Sequence, residues 1–154
     1  MKKNVVIGIL LFVLLVGATA FYTYRQTKDG IMKNAEIKAM KFDQDKINMY
    51  IFWGSTCPHC EELFTYLEAI EKDLKPYVRI YGFEVWENQA NADLMDKFIQ
   101  KYDGKAGSVP YIVIGDEVII GFKESDKEKI KSLIKEAYDK KEKFNYNQSL
   151  FVTE

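Results

Sequence analysis

Two cysteines, Cys57 and Cys60, stand in the run Cys57-Pro58-His59-Cys60 and are the only two of the 154-residue chain. A bridge between them would close almost no loop. Cross-link stabilisation grows with the logarithm of loop length, so the pair makes little sense as a staple and good sense as a reacting pair. The thiolate is the nucleophilic form of cysteine. Pro58 suits a first helical position, where its missing N–H costs nothing, and this puts Cys57 at or beside a helix N-cap. There the positive end of the helix dipole and the unpaired N–H groups favour a thiolate. Cys57, nearer the helix end, is expected to be the more exposed thiol and to attack a disulfide. Cys60, one turn in, is expected to resolve the mixed disulfide. His59 is the sole histidine. A positively polarised ring between the cysteines would favour the Cys57 thiolate and make the pair more oxidising. Zinc normally takes four ligands, and two cysteines with one histidine fall short, so no metal site is expected. No cofactor is expected beyond a redox-active Cys57–Cys60 disulfide.

The elements around the motif follow from pattern. Residues 47–53 (Ile-Asn-Met-Tyr-Ile-Phe-Trp) read as a buried strand, broken by Gly54-Ser55-Thr56. A helix then opens at the cysteines, its stripe Cys60, Leu63, Phe64, Leu67, Ile70 and Leu74 running to Pro76. Residues 77–85 read as a second strand, parallel to the first through a right-handed crossover. Asn88 or Asn91 caps a further helix burying Leu94, Phe98, Ile99 and Tyr102, stopped by Asp103-Gly104. Residues 111–114 and 118–120 form a hairpin around Gly115-Asp116. The box Ser125-x-x-Glu128 opens a last helix burying Ile130, Leu133, Ile134, Ala137 and Tyr138. Residues 27–45 read as a connector into a short N-terminal helix carrying Ile31, Ala35, Ile37, Met40 and Phe42. Phe144 onward reads as a polar tail without assignable role.

The net charge of −1 gives no basic excess for nucleic acid and no acidic tail. Lys2 and Lys3 precede an apolar run over 5–22, long enough at 1.5 Å per residue to cross a hydrocarbon core of about 30 Å. Phe21, Tyr22 and Tyr24 stand where an interfacial belt would be. The run is read as an uncleaved anchor, with a signal peptide cleaved near Ala20 as the alternative. Either reading exports the rest of the chain. The expected organisation is an anchor or signal over 1–28, an α/β domain over 29–142 and a tail over 143–154.

The order strand, Cys-x-x-Cys helix, strand, helix, Val109-Pro110, hairpin and helix resembles the thioredoxin-like family over most of 47–138. Phe52-Trp53 before the cysteines and Gly107-Ser108-Val109-Pro110-Tyr111 after them carry the likeness. The resemblance implies a βαβ unit, a connecting helix and a ββα unit, behind the N-terminal apolar helix. It also implies a cis-proline loop at Val109-Pro110 that faces the cysteines and pairs with substrate, and a tryptophan, Trp53, beside the redox centre. Cys-Pro-His-Cys is similar to exported disulfide oxidases of the DsbA type. That implies an oxidase or isomerase acting on thiols and disulfides of exported proteins, recycled by a membrane redox partner, rather than a reductase. Small anchored proteins of the bacteriocin-transport accessory family are similar too, and imply an accessory binding module as the alternative. One departure stands out. Thioredoxins carry a buried acid six residues before the first cysteine, and here that residue is Ile51. Glu61 and Glu62 are expected to be solvated, which leaves the proton-transfer group for Cys60 unidentified.

Overall fold

The computed structural model describes residues 15–17, 37, 40–102, 107–140 and 147–151. The chain divides into two compact units, Met1–Gly30 and Ile31–Glu154. Of the first, residues 15–17 are helical and exposed. The rest of the apolar run expected to form an anchor lies outside the described residues. No helix among the described residues is long and apolar enough to cross a membrane.

The second unit is a four-stranded sheet in the order β2-β1-β3-β4. Its elements are β1 (Ile47–Trp53), α1 (Pro58–Ala69), α2 (Glu71–Leu74), β2 (Val78–Glu84), α3 (Gln89–Lys101), β3 (Tyr111–Ile114), β4 (Glu117–Ile120), α4 (Asp126–Lys140) and a closing 3-10 turn, Gln148–Phe151. β1 runs parallel to β2, with Trp53 opposite Glu84, and antiparallel to β3, with Phe52 opposite Tyr111. β3 and β4 form the expected hairpin, in which Gly115 takes φ 62°, a left-handed conformation open to glycine.

The twofold period of β1 divides the core. Ile47, Met49 and Ile51 point to an aliphatic layer completed by Leu63, Leu67, Ile130 and Ile134. Tyr50 and Phe52 point the other way, into an aromatic layer with Tyr81, Phe83, Phe98 and Tyr111. The central strand is therefore buried on both faces, which explains its nearly unbroken apolar sequence.

Four expectations need adjustment. The helix after the cysteines is not continuous to Pro76: it ends at Ile70, whose N–H bonds back to Tyr66 O, and a separate turn, α2, follows. The expected helix before β1 does not extend over 40–45, which are irregular, and residues 27–36 lie outside the described set. At α4 the described bond is from Lys123 N–H to the Asp126 carboxylate, and none is described for Ser125. Lastly, residues 147–151 do more than a polar tail would. Phe151 lies 5.1 Å from Phe42, 5.3 Å from Tyr50 and 5.8 Å from Phe98 by ring centroids. Asn147 is buried and takes hydrogen bonds to Gly115 O and from Lys101.

Candidate redox site

Cys57 occupies the N-cap of α1, with Pro58 in the first turn. Three segments hold it. Its N–H donates to Gly54 O across the turn that leaves β1, at 3.1 Å. Its sulfur accepts the N–H of Cys60 at 3.3 Å, so one of the unpaired donors of the helix end is turned onto Sγ. Its thiol lies 3.5 Å from Val109 O, donating to that carbonyl. The Val109–Pro110 peptide bond is cis, and Pro110 O accepts Gly121 N–H at 2.8 Å, fastening the loop to the hairpin end. The structure thus brings Cys57, Cys60, Pro58, Val109 and Pro110 together.

Both cysteines are free thiols. Cys57 is 5% and Cys60 1% exposed. The expected order of exposure holds, but the margin is small. Burial above all, and then the hydrogen bond with the Cys57 thiol, push the Cys60 thiol up to about 12. Cys60 is therefore a protonated thiol at neutral pH in this state.

His59 is placed differently from the other motif residues. Its ring is 64% exposed, and Nδ1 lies 3.4 Å from Glu62 Oε2 one turn along. No contact between His59 and Cys57 is described. Glu61 and Glu62 are exposed, as expected. Ile51 is wholly buried in the aliphatic layer, so the usual acid position holds a core side chain. Trp53 packs edge-on against Phe64 at 5.5 Å, its indole N–H buried without a partner.

Two residues of the site escaped the sequence reading. Glu84 closes β2 and is buried. Its carboxylate accepts three backbone N–H groups, from Ser55 (3.3 Å), Trp86 (2.9 Å) and Glu87 (2.8 Å). It ties the turn before Cys57 to the loop after β2. Its sequence setting, the end of a strand that also carries the exposed Arg79, gives no signal of this role. Trp86 is the second: its ring lies over Gly54, where any Cβ would collide with it. A groove of about 480 Å³ begins at Cys57 and Pro58 and runs past Trp86, Met95 and Ile99 to Val109.

No family model matches the chain, and no curated protein matches it. Solved structures do. An uncharacterised thioredoxin-like protein from Clostridium perfringens is 23% identical, with TM-score 0.51 over 69% of this chain and 79% of its own. A glutaredoxin from Archaeoglobus fulgidus is 26% identical, with TM-score 0.42 over 66% of this chain and 95% of its own. A protein assigned as the thiol:disulfide interchange protein DsbE from Chlorobium tepidum is 16% identical, with TM-score 0.44 over 62% and 82%. The first of these supports a shared fold. With the four-stranded sheet and its helices, it shows that the domain has a thioredoxin-like fold.

Proposed function

We propose that the chain is a thiol–disulfide oxidoreductase acting through Cys57 and Cys60. The observation that carries this reading is the setting of Cys57 Sγ, which caps α1 by accepting Cys60 N–H and touches the Val109 carbonyl beside cis-Pro110. A cysteine so placed can exchange disulfides with a segment lying against the proline loop. In the reducing direction, the Cys57 thiolate attacks a substrate disulfide; one Cys57–substrate bond forms and the other substrate sulfur leaves with the electron pair. Cys60, once its thiol has lost its proton, then attacks Cys57 Sγ; the Cys57–Cys60 bond forms, the Cys57–substrate bond breaks, and the substrate leaves as a thiolate. The oxidising direction is the reverse. Electrons and sulfur bonds balance with no further group, so the pair itself is the redox centre.

Pro58 and His59 support the oxidase or isomerase direction through their likeness to the DsbA-type motif. The apolar run at 5–22 supports action on exported proteins from the outer face of a membrane, with a membrane partner recycling the pair. The test is equilibration of the Cys57–Cys60 pair with glutathione. A potential near the DsbA value of about −120 mV supports the oxidase, while one near the thioredoxin value of about −270 mV makes it a reductase. In cells, a Cys60→Ala chain should accumulate mixed disulfides through Cys57. A folded variant that traps none overturns the assignment of Cys57 as nucleophile.

A further inference from the structure

The groove that ends at Cys57 has a built, asymmetric character. Trp86 is 54% exposed, yet it is held in place: its backbone N–H donates to the buried Glu84 carboxylate, and its ring is seated on Gly54. A large aromatic face fixed before binding loses little freedom on contact, which is the property of an interface anchor. Met95 and Ile99, from α3, and Val109 complete an apolar floor. Charge among the described lining residues is confined to Asp96, which is exposed. Glu87, also exposed, follows the anchor and accepts the Ser55 hydroxyl at 3.2 Å. The wall that receives a partner is thus apolar next to the sulfur and acidic at its margin.

The geometry points to Trp86 as a specificity-determining residue that selects extended segments bearing an apolar side chain next to the reacting cysteine and a lysine or arginine beside it. Resting on the redox reading above, this names the substrate class of the same site. The apolar side chain would lie between the Trp86 ring and Met95–Ile99, and the cation would face Asp96. Glu84 is then a positioning residue, acting through Trp86 and through the Ser55 turn rather than on the substrate.

The test uses single-cysteine peptides carried as mixed disulfides with thionitrobenzoate, and the full chain reduced beforehand. The Cys57 thiolate attacks the peptide sulfur, thionitrobenzoate leaves as the coloured thiolate, and Cys60 then displaces the peptide thiol and closes the Cys57–Cys60 disulfide. The second-order rate constant of colour release is the readout. A peptide with leucine next to cysteine should react about tenfold faster than its glycine counterpart, the effect of one well-packed apolar contact. Replacing the neighbouring lysine with glutamate should slow it about threefold, an effect that fades with added salt. Trp86→Ala should reduce the leucine preference to about twofold. Gly54→Ala, whose Cβ displaces the ring, should do the same, and it should add little in a Trp86→Ala background. The peptide series on the unaltered chain needs no variant and decides the proposal even if a variant misfolds. Equal rates for leucine and glycine peptides would overturn it while leaving the redox reading intact. Absence of colour release from every peptide would overturn both.

Discussion

The buried Cys60 thiol makes the stability of the reduced chain fall at alkaline pH, by an amount the structure sets. Its folded-state value of about 12 exceeds the ordinary thiol value of 9.0, and burial is the main cause. In the unfolded chain the thiol ionises above pH 9; in the folded chain it keeps its proton until about pH 12. The unfolded state therefore binds fewer protons across that window, and stability falls as pH rises. Below pH 9 the contribution is intact. One pH unit corresponds to about 1.4 kcal/mol, so moving from pH 8 to pH 10.5 should remove about 2 kcal/mol. With a urea dependence of about 1.5 kcal/mol/M for a domain of this size, the midpoint should drop by about 1.3 M. Burial also raises Tyr50, Tyr66, Tyr81 and Tyr111, which add slope of the same sign. Comparison with Cys60→Ala cancels them, because those tyrosines are common to both chains. The assay is urea unfolding under a phosphine reductant at both pH values, with the difference between the two chains as the result. A difference that stays flat from pH 8 to pH 10.5 would refute the burial of Cys60 as the controlling influence.

Three further outcomes are expected. Phe151→Ala should cost about 2 kcal/mol, below the roughly 3–5 of a fully buried ring because Phe151 is half-buried; a loss under about 0.5 kcal/mol in urea unfolding would show that the C-terminal turn does not complete the aromatic layer. Asn88→Ala removes the side chain that accepts Asn91 N–H at the start of α3 and should cost about 1 kcal/mol, whereas Asn91→Ala acts through its bond to Glu84 O instead. Glu84→Ala leaves three backbone donors without their acceptor and should cost about 2–3 kcal/mol, with hydrogen exchange at Ser55, Trp86 and Glu87 accelerated at least about tenfold; unchanged exchange at those amides would contradict its role as the tie.

The parts of this fold that sequence makes legible are those coded by nearest neighbours in the chain. The apolar run of β1, the proline after Cys57 and the Gly115-Asp116 turn each act within a few residues, and each is where pattern places it. Val109-Pro110 was legible through family likeness rather than through any local rule. What stayed hidden is long-range or lacks a local marker. Nothing near Glu84 announces that its carboxylate will gather donors from Ser55, some thirty residues earlier. Gly54 reads as a strand breaker, and its second role, making room for Trp86, exists only because β1 and β2 end side by side. The break at Ile70 has neither glycine nor proline to mark it. The segment 147–151 is polar enough to pass for a tail, yet the ring contacts of Phe151 with Phe42, Tyr50, Phe83 and Phe98 and the bonds of Asn147 dock it.

The absence of an acid at Ile51 bears on how the two thiols could divide their work. Two of the influences that keep Cys60 protonated come from Cys57 itself: the hydrogen bond between the two sulfurs and, in the attacking thiolate form, the charge on Cys57. In the proposed reaction, attack by Cys57 turns its sulfur into one half of a neutral mixed disulfide. The charge is then gone, and the hydrogen bond to a thiolate with it, so what still opposes ionisation of Cys60 is mainly burial. Ionisation of the resolving thiol thus becomes easier only after the nucleophile has reacted. That order follows from the coupling of two sulfurs in one helical turn, with Ile51 in the core where an acid would otherwise stand. The same coupling predicts that a neutral isostere at Cys57 lowers the Cys60 value. Titrating Cys60 in a Cys57→Ser chain, by the pH dependence of its alkylation, should show an inflection below the wild-type value of about 12. An inflection left unchanged would mean that burial alone governs Cys60, and that the order of events must be imposed by the substrate.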